Sequence, residues 1–230
     1  MQKSKIEWTD YTWNPIKGIC PVGCWYCYGK RIYERFKLNP IPRVEKESFF
    51  GEVISLMKMK PTRIFVCSTF EIFHPITNSP CPWYPKITWR DAIFNEIKNA
   101  FSQHTFQILT KFPQNIDRPM PDNVWLGTTV TMGSDLWRIR ELMKHKAIVR
   151  FVSYEPLLQE MPSHCLESMD EKIDWLIVGR MTGHGKKHDP NYNYLIELIG
   201  RAKRFNVPIF LKNNLKEIFG EPLIQEFPNM

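Results

Sequence analysis

Six short apolar runs, each closed by turn residues, recur along the chain and constrain its fold more than any other feature. They are Arg63–Thr69 (RIFVCST), Phe106–Thr110 (FQILT), Val124–Val130 (VWLGTTV), Ile148–Tyr154 (IVRFVSY), Trp175–Gly179 (WLIVG) and Val207–Leu211 (VPIFL). Most are β-branched or aromatic and apolar on both faces, as strands buried in a parallel sheet are. Amphipathic stretches lie between them. Phe49–Lys60 precedes the first run; Trp89–Gln103, with Thr88 as its N-cap, follows it. Asp135–His145 comes after Val130, and Asn193–Arg204 precedes the last run. Alternation of strand and helix means βα units, right-handed crossovers and a parallel sheet. A short strand around Asn14–Ile19 brings the expected total to six or seven. Such a set builds a closed or partly closed barrel or an open doubly wound sheet. In a barrel the reactive residues sit on loops at the carboxyl ends of the strands.

Composition narrows the class further. Of 230 residues, 43% are hydrophobic and 24% charged, which excludes disordered and collagen-like chains. One domain over residues 1–230 is expected, with an aromatic N-terminal segment (1–19) leading into a cysteine loop (20–28). No run approaches the roughly 20 apolar residues that span a bilayer. Met1–Asp10 is polar and lacks the apolar core of a signal peptide. The expected location is the cytoplasm, away from any membrane. The net charge of +7 permits a nucleic-acid or phosphorylated partner. Six cysteines are too sparse for a disulfide framework.

Three of those cysteines crowd together in Gly18-Ile19-Cys20-Pro21-Val22-Gly23-Cys24-Trp25-Tyr26-Cys27-Tyr28, a C-x3-C-x2-C spacing. Three thiolates on a loop with Pro and Gly can wrap one soft metal centre. A tetrahedral zinc site needs a fourth ligand, yet the nearest histidine, His74, is 47 residues beyond Cys27 and no second CxxC exists. A four-cysteine iron–sulfur site needs another cysteine. Cys67 falls within an expected strand and Cys81 in a Pro-rich excursion, so neither is an evident fourth; Cys165 stands alone. Three protein ligands leave one position open, as a catalytic metal requires. The bland alternatives are a structural zinc knuckle or cysteines unrelated to one another.

With Tyr26 before the third cysteine, this loop resembles the C-x3-C-x-aromatic-C motif of the radical S-adenosylmethionine (SAM) enzymes. The resemblance implies a partial (β/α)6 TIM-like barrel. It implies a [4Fe–4S] cluster on Cys20, Cys24 and Cys27 whose remaining iron chelates SAM. An electron from a flavodoxin- or ferredoxin-like donor then cleaves SAM and starts radical chemistry on a substrate. The likeness extends over nearly the whole chain. Ser4–Asp10 (SKIEWTD), Thr12–Pro15 (TWNP), Ser68–His74 (STFEIFH), Leu109–Lys111 (LTK), Val124–Gly127 (VWLG), Arg150–Leu158 (RFVSYEPLL), Asp174–Gly179 (DWLIVG) and Pro208–Lys212 (PIFLK) are similar to the phage Gp37/Gp68-like, three-Cys-motif family. More distantly, the chain is similar to the spore photoproduct lyase-like DNA repair group. It departs from the family at Gly179–Gly183 (GRMTG), where a Gly-Gly-Glu-Ser-Gly-like run is usual. It departs again at Thr131-Met132, in place of an acidic or amide pair, and at Glu71, in place of an aspartate. These departures bear on polar contacts to cofactor or substrate, not on the cluster.

A SAM pocket needs an acid or hydroxyls for the amino group, a polar partner for the ribose and close backbone approach for the adenine. Ser68, Thr69 and Glu71 follow the first run, where the superfamily binds the amino group. Thr128 is a ribose candidate or a core residue. Ser153 and Glu155 share one strand face, and an acid buried there calls for a cation or diol. Gly179 and Gly183 let backbone approach a flat ring, and the Tyr26 backbone is expected beside the adenine. Lys111 and Lys212 stand at strand ends, able to hold a carboxylate or phosphate. His74 is a loop candidate, and His184 and His188 flank a lysine pair in a loop. Basic groups at Lys30-Arg31 with Arg35 and Lys37, at Lys58–Arg63, at Arg138–Arg150, at Gly185–His188 and at Arg201–Arg204 interleave with aromatics, as a nucleic-acid groove does. Asn78–Pro85 reads as a lid or subunit contact, and the chain is short enough that a partner protein is expected to complete the site. The leading expectation is a radical SAM enzyme acting on a nucleic acid or nucleotide. Its rival is a non-catalytic, metal-stabilised (zinc or iron–sulfur) nucleic-acid-binding module.

Overall fold

The structure is a computed structural model and describes residues 1–99, 103–160, 173–183 and 185–229. It is α/β with mostly parallel strands, and the chain divides into two compact units, Met1–Trp125 and Leu126–Met230.

In the first unit β1 (Gln2–Lys3), β2 (Tyr11–Trp13), β5 (Arg63–Val66) and β8 (Thr105–Thr110) lie side by side in that order. β2, β5 and β8 are parallel, in register through Trp13, Val66 and Ile108, and β1 is antiparallel at the edge. The expected strand at Asn14–Ile19 is split. Tyr11–Trp13 enters the sheet; Pro15 cannot donate to a ladder; and β3 (Ile16–Lys17) pairs instead with β4 (Arg43–Val44) in a separate antiparallel ribbon. The first run is also shorter than expected. β5 stops at Val66 because Cys67 adopts a left-handed backbone, φ +55°, so Cys67 lies beyond the strand rather than within it.

Helices α1 (Tyr28–Arg35), α2 (Lys46–Met57) and α3 (Trp89–Asn99) complete this unit. The start of α3 is a capping box: the Thr88 hydroxyl accepts the Asp91 N–H at 3.1 Å, and Asp91 accepts the Thr88 N–H at 2.8 Å. The expected continuation of α3 through residues 100–102 lies outside the described residues. The core is aromatic, with Trp13 wholly buried against Phe49 and Phe106 at 5.9 and 6.2 Å between ring centres. The Pro-rich excursion forms a hairpin, β6 (Pro80–Cys81) and β7 (Tyr84–Thr88), pinned to α2 by Trp83 against Phe49 and Phe50. Arg90 of α3 is buried and binds the Ile72 and His74 carbonyls, the Thr77 hydroxyl and Asp117, which fixes the loop after β5.

The second unit takes in most of β9 (Val124–Thr129), then β10 (Val149–Tyr154), β11 (Trp175–Val178) and β12 (Ile209–Leu211), adjacent in that order. β10, β11 and β12 are parallel. Helices α4 (Trp137–Met143), α5 (Tyr192–Arg204) and α6 (Lys216–Phe219) belong here. Strand alternation divides the sheet into two faces. Val152, Tyr154, Leu176, Val178, Ile209 and Leu211 pack with Leu195, Leu198, Ile199 and Ala202 of α5. Each such fully buried Leu or Ile contributes about 1.5–3 kcal/mol. The opposite face carries Phe151, Trp175 and Phe210, whose rings touch in sequence at 5.7 and 6.1 Å. The Phe151 ring edge occupies the space where a Cβ on Gly127 would stand.

All six expected strands form, five of them trimmed at an end and one, β8, begun a residue earlier at Thr105. Among the described residues no helix is long and apolar enough to cross a membrane.

Candidate functional site

The cysteine loop is held at both ends. Gly18 enters it with φ +104°, a backbone open chiefly to glycine, and its absent Cβ would lie 2.5 Å from the Ile41 carbonyl. The Gly18 N–H donates to the Tyr33 hydroxyl at 2.7 Å, and the Ile19 N–H to the Pro40 carbonyl at 2.8 Å. Gly23, φ +70°, turns the chain between Cys20 and Cys24. The Cys27 N–H then donates to the Cys24 carbonyl at 3.0 Å, and Cys27 becomes the N-cap of α1, its Sγ accepting the Lys30 N–H at 3.4 Å.

This loop packs on the carboxyl end of β5. The position of a Cβ on Gly29 is 3.6 Å from Cys27 Sγ and 3.8 Å from Thr69 Cβ, so the thiol and Thr69 flank the same buried glycine. The Tyr28 hydroxyl donates to the Ser68 carbonyl at 3.1 Å. The Cys20 sulfur accepts the backbone N–H groups of Val22 and Glu71. Asn14 organises the far side: its Oδ1 accepts the Ser68 hydroxyl at 3.1 Å and the Thr69 N–H at 3.3 Å. Asn14 was not among the expected site residues, although an Asn before Pro at a strand end is a familiar loop-capping signal.

The three motif cysteines are free thiols, partly exposed. Burial pushes the Cys20 thiol up to about 11; the two N–H donors oppose the rise, and the Glu71 carboxylate and Cys24 add to it. Cys67 is wholly buried, and burial, followed by Glu71 and Cys20, drives its thiol well above the usual range. Cys67 thus belongs to the surroundings of the loop, which its expected place inside a strand had hidden. Cys81 is buried in the hairpin, and Cys165 lies outside the described residues.

Glu71 is buried and already engaged. Its Oε1 accepts the Thr110 hydroxyl at 2.5 Å and the Phe73 N–H at 3.2 Å, and its Oε2 accepts the Lys111 N–H at 2.7 Å. It therefore ties the loop after β5 to the end of β8. His74 Nδ1 accepts the Ile76 N–H at 3.2 Å, and burial lowers its pKa against the opposing pull of Glu71. Tyr26 is half-buried, its ring edge-on to Trp25 at 5.5 Å.

In the second unit the register aligns Ser153, Ile177 and Phe210, and two residues further on the same face come Glu155, Gly179 and Lys212. Glu155 and Lys212 form an ion pair with most of each side chain covered. Lys212 thus finds its carboxylate within the chain, not in a ligand. A Cβ on Gly179 would come within 3.0 Å of Lys212 and 3.1 Å of Glu155, so the glycine makes room for the pair. Ser153 is buried, and its hydroxyl has no hydrogen-bond partner among the described residues. Thr128 is buried on the side of Val130, toward the helices. Gly183 is exposed in a loop with φ +80°; His188 ends a short 3-10 turn, and His184 lies outside the described residues.

Among the described residues no group of three or more His, Cys, Asp or Glu side chains, the three motif cysteines included, is placed to hold a metal ion. The donor chemistry of the loop nevertheless fits a soft, sulfur-bound centre. It offers three thiols within eight residues, two of them with backbone N–H groups already directed at the sulfur. At Cys20 these donors oppose the effect of burial without outweighing it.

No curated protein and no solved structure matches the chain. One family model does, over residues 3–217, and it is described as a protein of unknown function (DUF5131). Spanning both units and every residue of the cysteine loop, that match places the chain in the DUF5131 family.

Proposed function

We propose that this chain is a radical SAM enzyme with one [4Fe–4S] cluster, built on a partial (β/α)6 barrel. The observation that carries the reading is the seating of a three-thiol loop on the carboxyl end of β5, with its third thiol capping α1. Strand carboxyl ends are where α/β folds place their chemistry. Cys20, Cys24 and Cys27 would hold the cluster, and when bound it supplies the electron that breaks a sulfur–carbon bond of SAM.

The chain's own residues bind, orient and shield. Ser68 and Thr69, fixed by Asn14, are the hydroxyls offered to the SAM amino group. Glu71 holds the loop that carries them. The Tyr26 backbone is assigned to the adenine. Ser153, Glu155 and Gly179 keep the cofactor-binding role the resemblance implies, whereas the placements of Thr128 and Gly183 lend those two no support. The electron donor is a flavodoxin- or ferredoxin-like protein.

The test is anaerobic reconstitution with iron and sulfide, followed by iron analysis and assay of 5′-deoxyadenosine from SAM under reduction. A brown, oxygen-sensitive protein that forms the nucleoside is expected, and Cys24→Ala should abolish both. Colourless protein with stoichiometric zinc and no turnover would establish the metal-stabilised binding module instead. Parent-rate turnover by Cys24→Ala would refute the ligand assignment.

A further inference from the structure

We propose that the exposed face of α1 and the segment after it, residues 25–41, docks a single-stranded nucleic acid. Only Gly29 of α1 is buried, and the Tyr33 hydroxyl turns inward to Gly18, so most of the helix surface faces outward. An ordinary surface helix places polar residues there. Here the helix presents Tyr28 and Ile32, and the segments flanking it present Trp25, Phe36, Leu38 and Ile41, between 41% and 64% exposed.

The arrangement has a pattern. Tyr28, Ile32 and Phe36 recur every four residues and form one ridge. Arg31 and Arg35 form the ridge beside it, about 6 Å apart along the axis. The Arg35 guanidinium already lies over the Phe36 ring, 5.4 Å from its centre. Across residues 25–41 up to Lys37 there are four cations, Lys30, Arg31, Arg35 and Lys37, against one acid, Glu34, a net +3 before the next cation, Arg43. A second copy of the chain would bring the same positive face against itself, which like-charge repulsion disfavours. The occupant that matches is an anion with flat apolar faces. A single strand offers both, because its bases are free to stack while its phosphates meet the cations. A duplex hides those base faces. Trp25 stands between Cys24 and Cys27, so a strand lying along this ridge ends beside the thiol loop.

This inference goes beyond the cluster assignment and does not require it. The experiment is fluorescence anisotropy of the full-length reconstituted protein with one labelled mixed-sequence oligonucleotide, prepared as DNA and as RNA, single-stranded and duplex. Single strands should bind more tightly than duplexes, with a log–log salt slope of about −2 to −3. Phe36→Ala should weaken binding about tenfold, and Arg35→Ala should make the slope shallower by about 1. Tyr84→Ala, at an equally exposed aromatic on the hairpin, should change neither. The DNA and RNA arms identify the sugar. Unchanged melting temperatures confirm that Phe36→Ala and Arg35→Ala remain folded. Equal or tighter duplex binding, salt-independent binding, or parent affinity in Phe36→Ala would overturn the proposal. So would a dimer in sedimentation that Phe36→Ala dissolves, which would assign the face to a second copy. Strand binding without 5′-deoxyadenosine formation would sink the enzyme reading and leave this one standing; the reverse result would do the opposite.

Discussion

Replacing Glu71 by glutamine separates two roles that the same carboxylate could play. In the structure both of its oxygens are acceptors: Oε1 for the Thr110 hydroxyl and the Phe73 N–H, Oε2 for the Lys111 N–H. A glutamine has one oxygen and one amide nitrogen to offer at these sites. With its oxygen toward Thr110, the amide nitrogen faces the Lys111 N–H, donor against donor. With its oxygen toward Lys111, the Phe73 N–H is stranded. The Thr110 hydroxyl then meets a donor while already accepting the Phe112 N–H at 2.8 Å. The first orientation loses one hydrogen bond and the second two; each orphans one backbone N–H, at about 1–3 kcal/mol, and the surviving bonds lose the assistance of the charge. The sum is about 2–4 kcal/mol, which lowers Tm by about 5–12 °C in a chain of this size. Thermal unfolding followed by circular dichroism reads it directly, with SAM affinity measured on the same protein. If Glu71→Gln melts with the parent and loses only SAM affinity, the carboxylate serves the cofactor and the reasoning is refuted.

Three further outcomes follow from the geometry. Gly18→Ala places a Cβ 2.5 Å from the Ile41 carbonyl at φ +104° and should cost about 3 kcal/mol in a urea titration. Glu155→Gln and Lys212→Met should each destabilise the protein by about 1–3 kcal/mol by leaving a largely covered charge unpaired, whereas the double variant recovers much of the loss; additive losses would show that the pair is not coupled. His74 has a lowered folded pKa, so unfolding takes up a proton on the acid side: its contribution is full above the unfolded value of 6.5 and fades as pH falls below it. His74→Asn keeps an acceptor for the Ile76 N–H and should match the parent at pH ~8 while losing that part of the acid-side slope.

What was legible in the sequence follows the range of the interactions. The buried strands announce themselves as apolar runs because both faces are covered, and the Thr88–Asp91 cap is a contact three residues long. Pro15 is a local signal too, but its effect, the division of the Asn14–Ile19 strand into two pieces in different sheets, depends on where Val44 lies. α1 was missed because it is eight residues long and buries only Gly29, so it shows no buried apolar stripe among its charged residues. In the site, the thiol spacing is sequential and plain. The partners of Glu71 at Thr110, of Asn14 at Ser68 and of Glu155 at Lys212 are 39, 54 and 57 residues away, and no local pattern encodes them. Left-handed Cys67 is likewise a tertiary outcome, because nothing in RIFVCST marks where pairing stops.

Phe151 and Gly127 share one volume across neighbouring strands, the ring filling space that the glycine leaves vacant. Any side chain gained at position 127 must be matched by one lost at 151, so these two positions can drift only as a couple. The aromatic stack that continues through Trp175 and Phe210 inherits that constraint from a single missing methyl group.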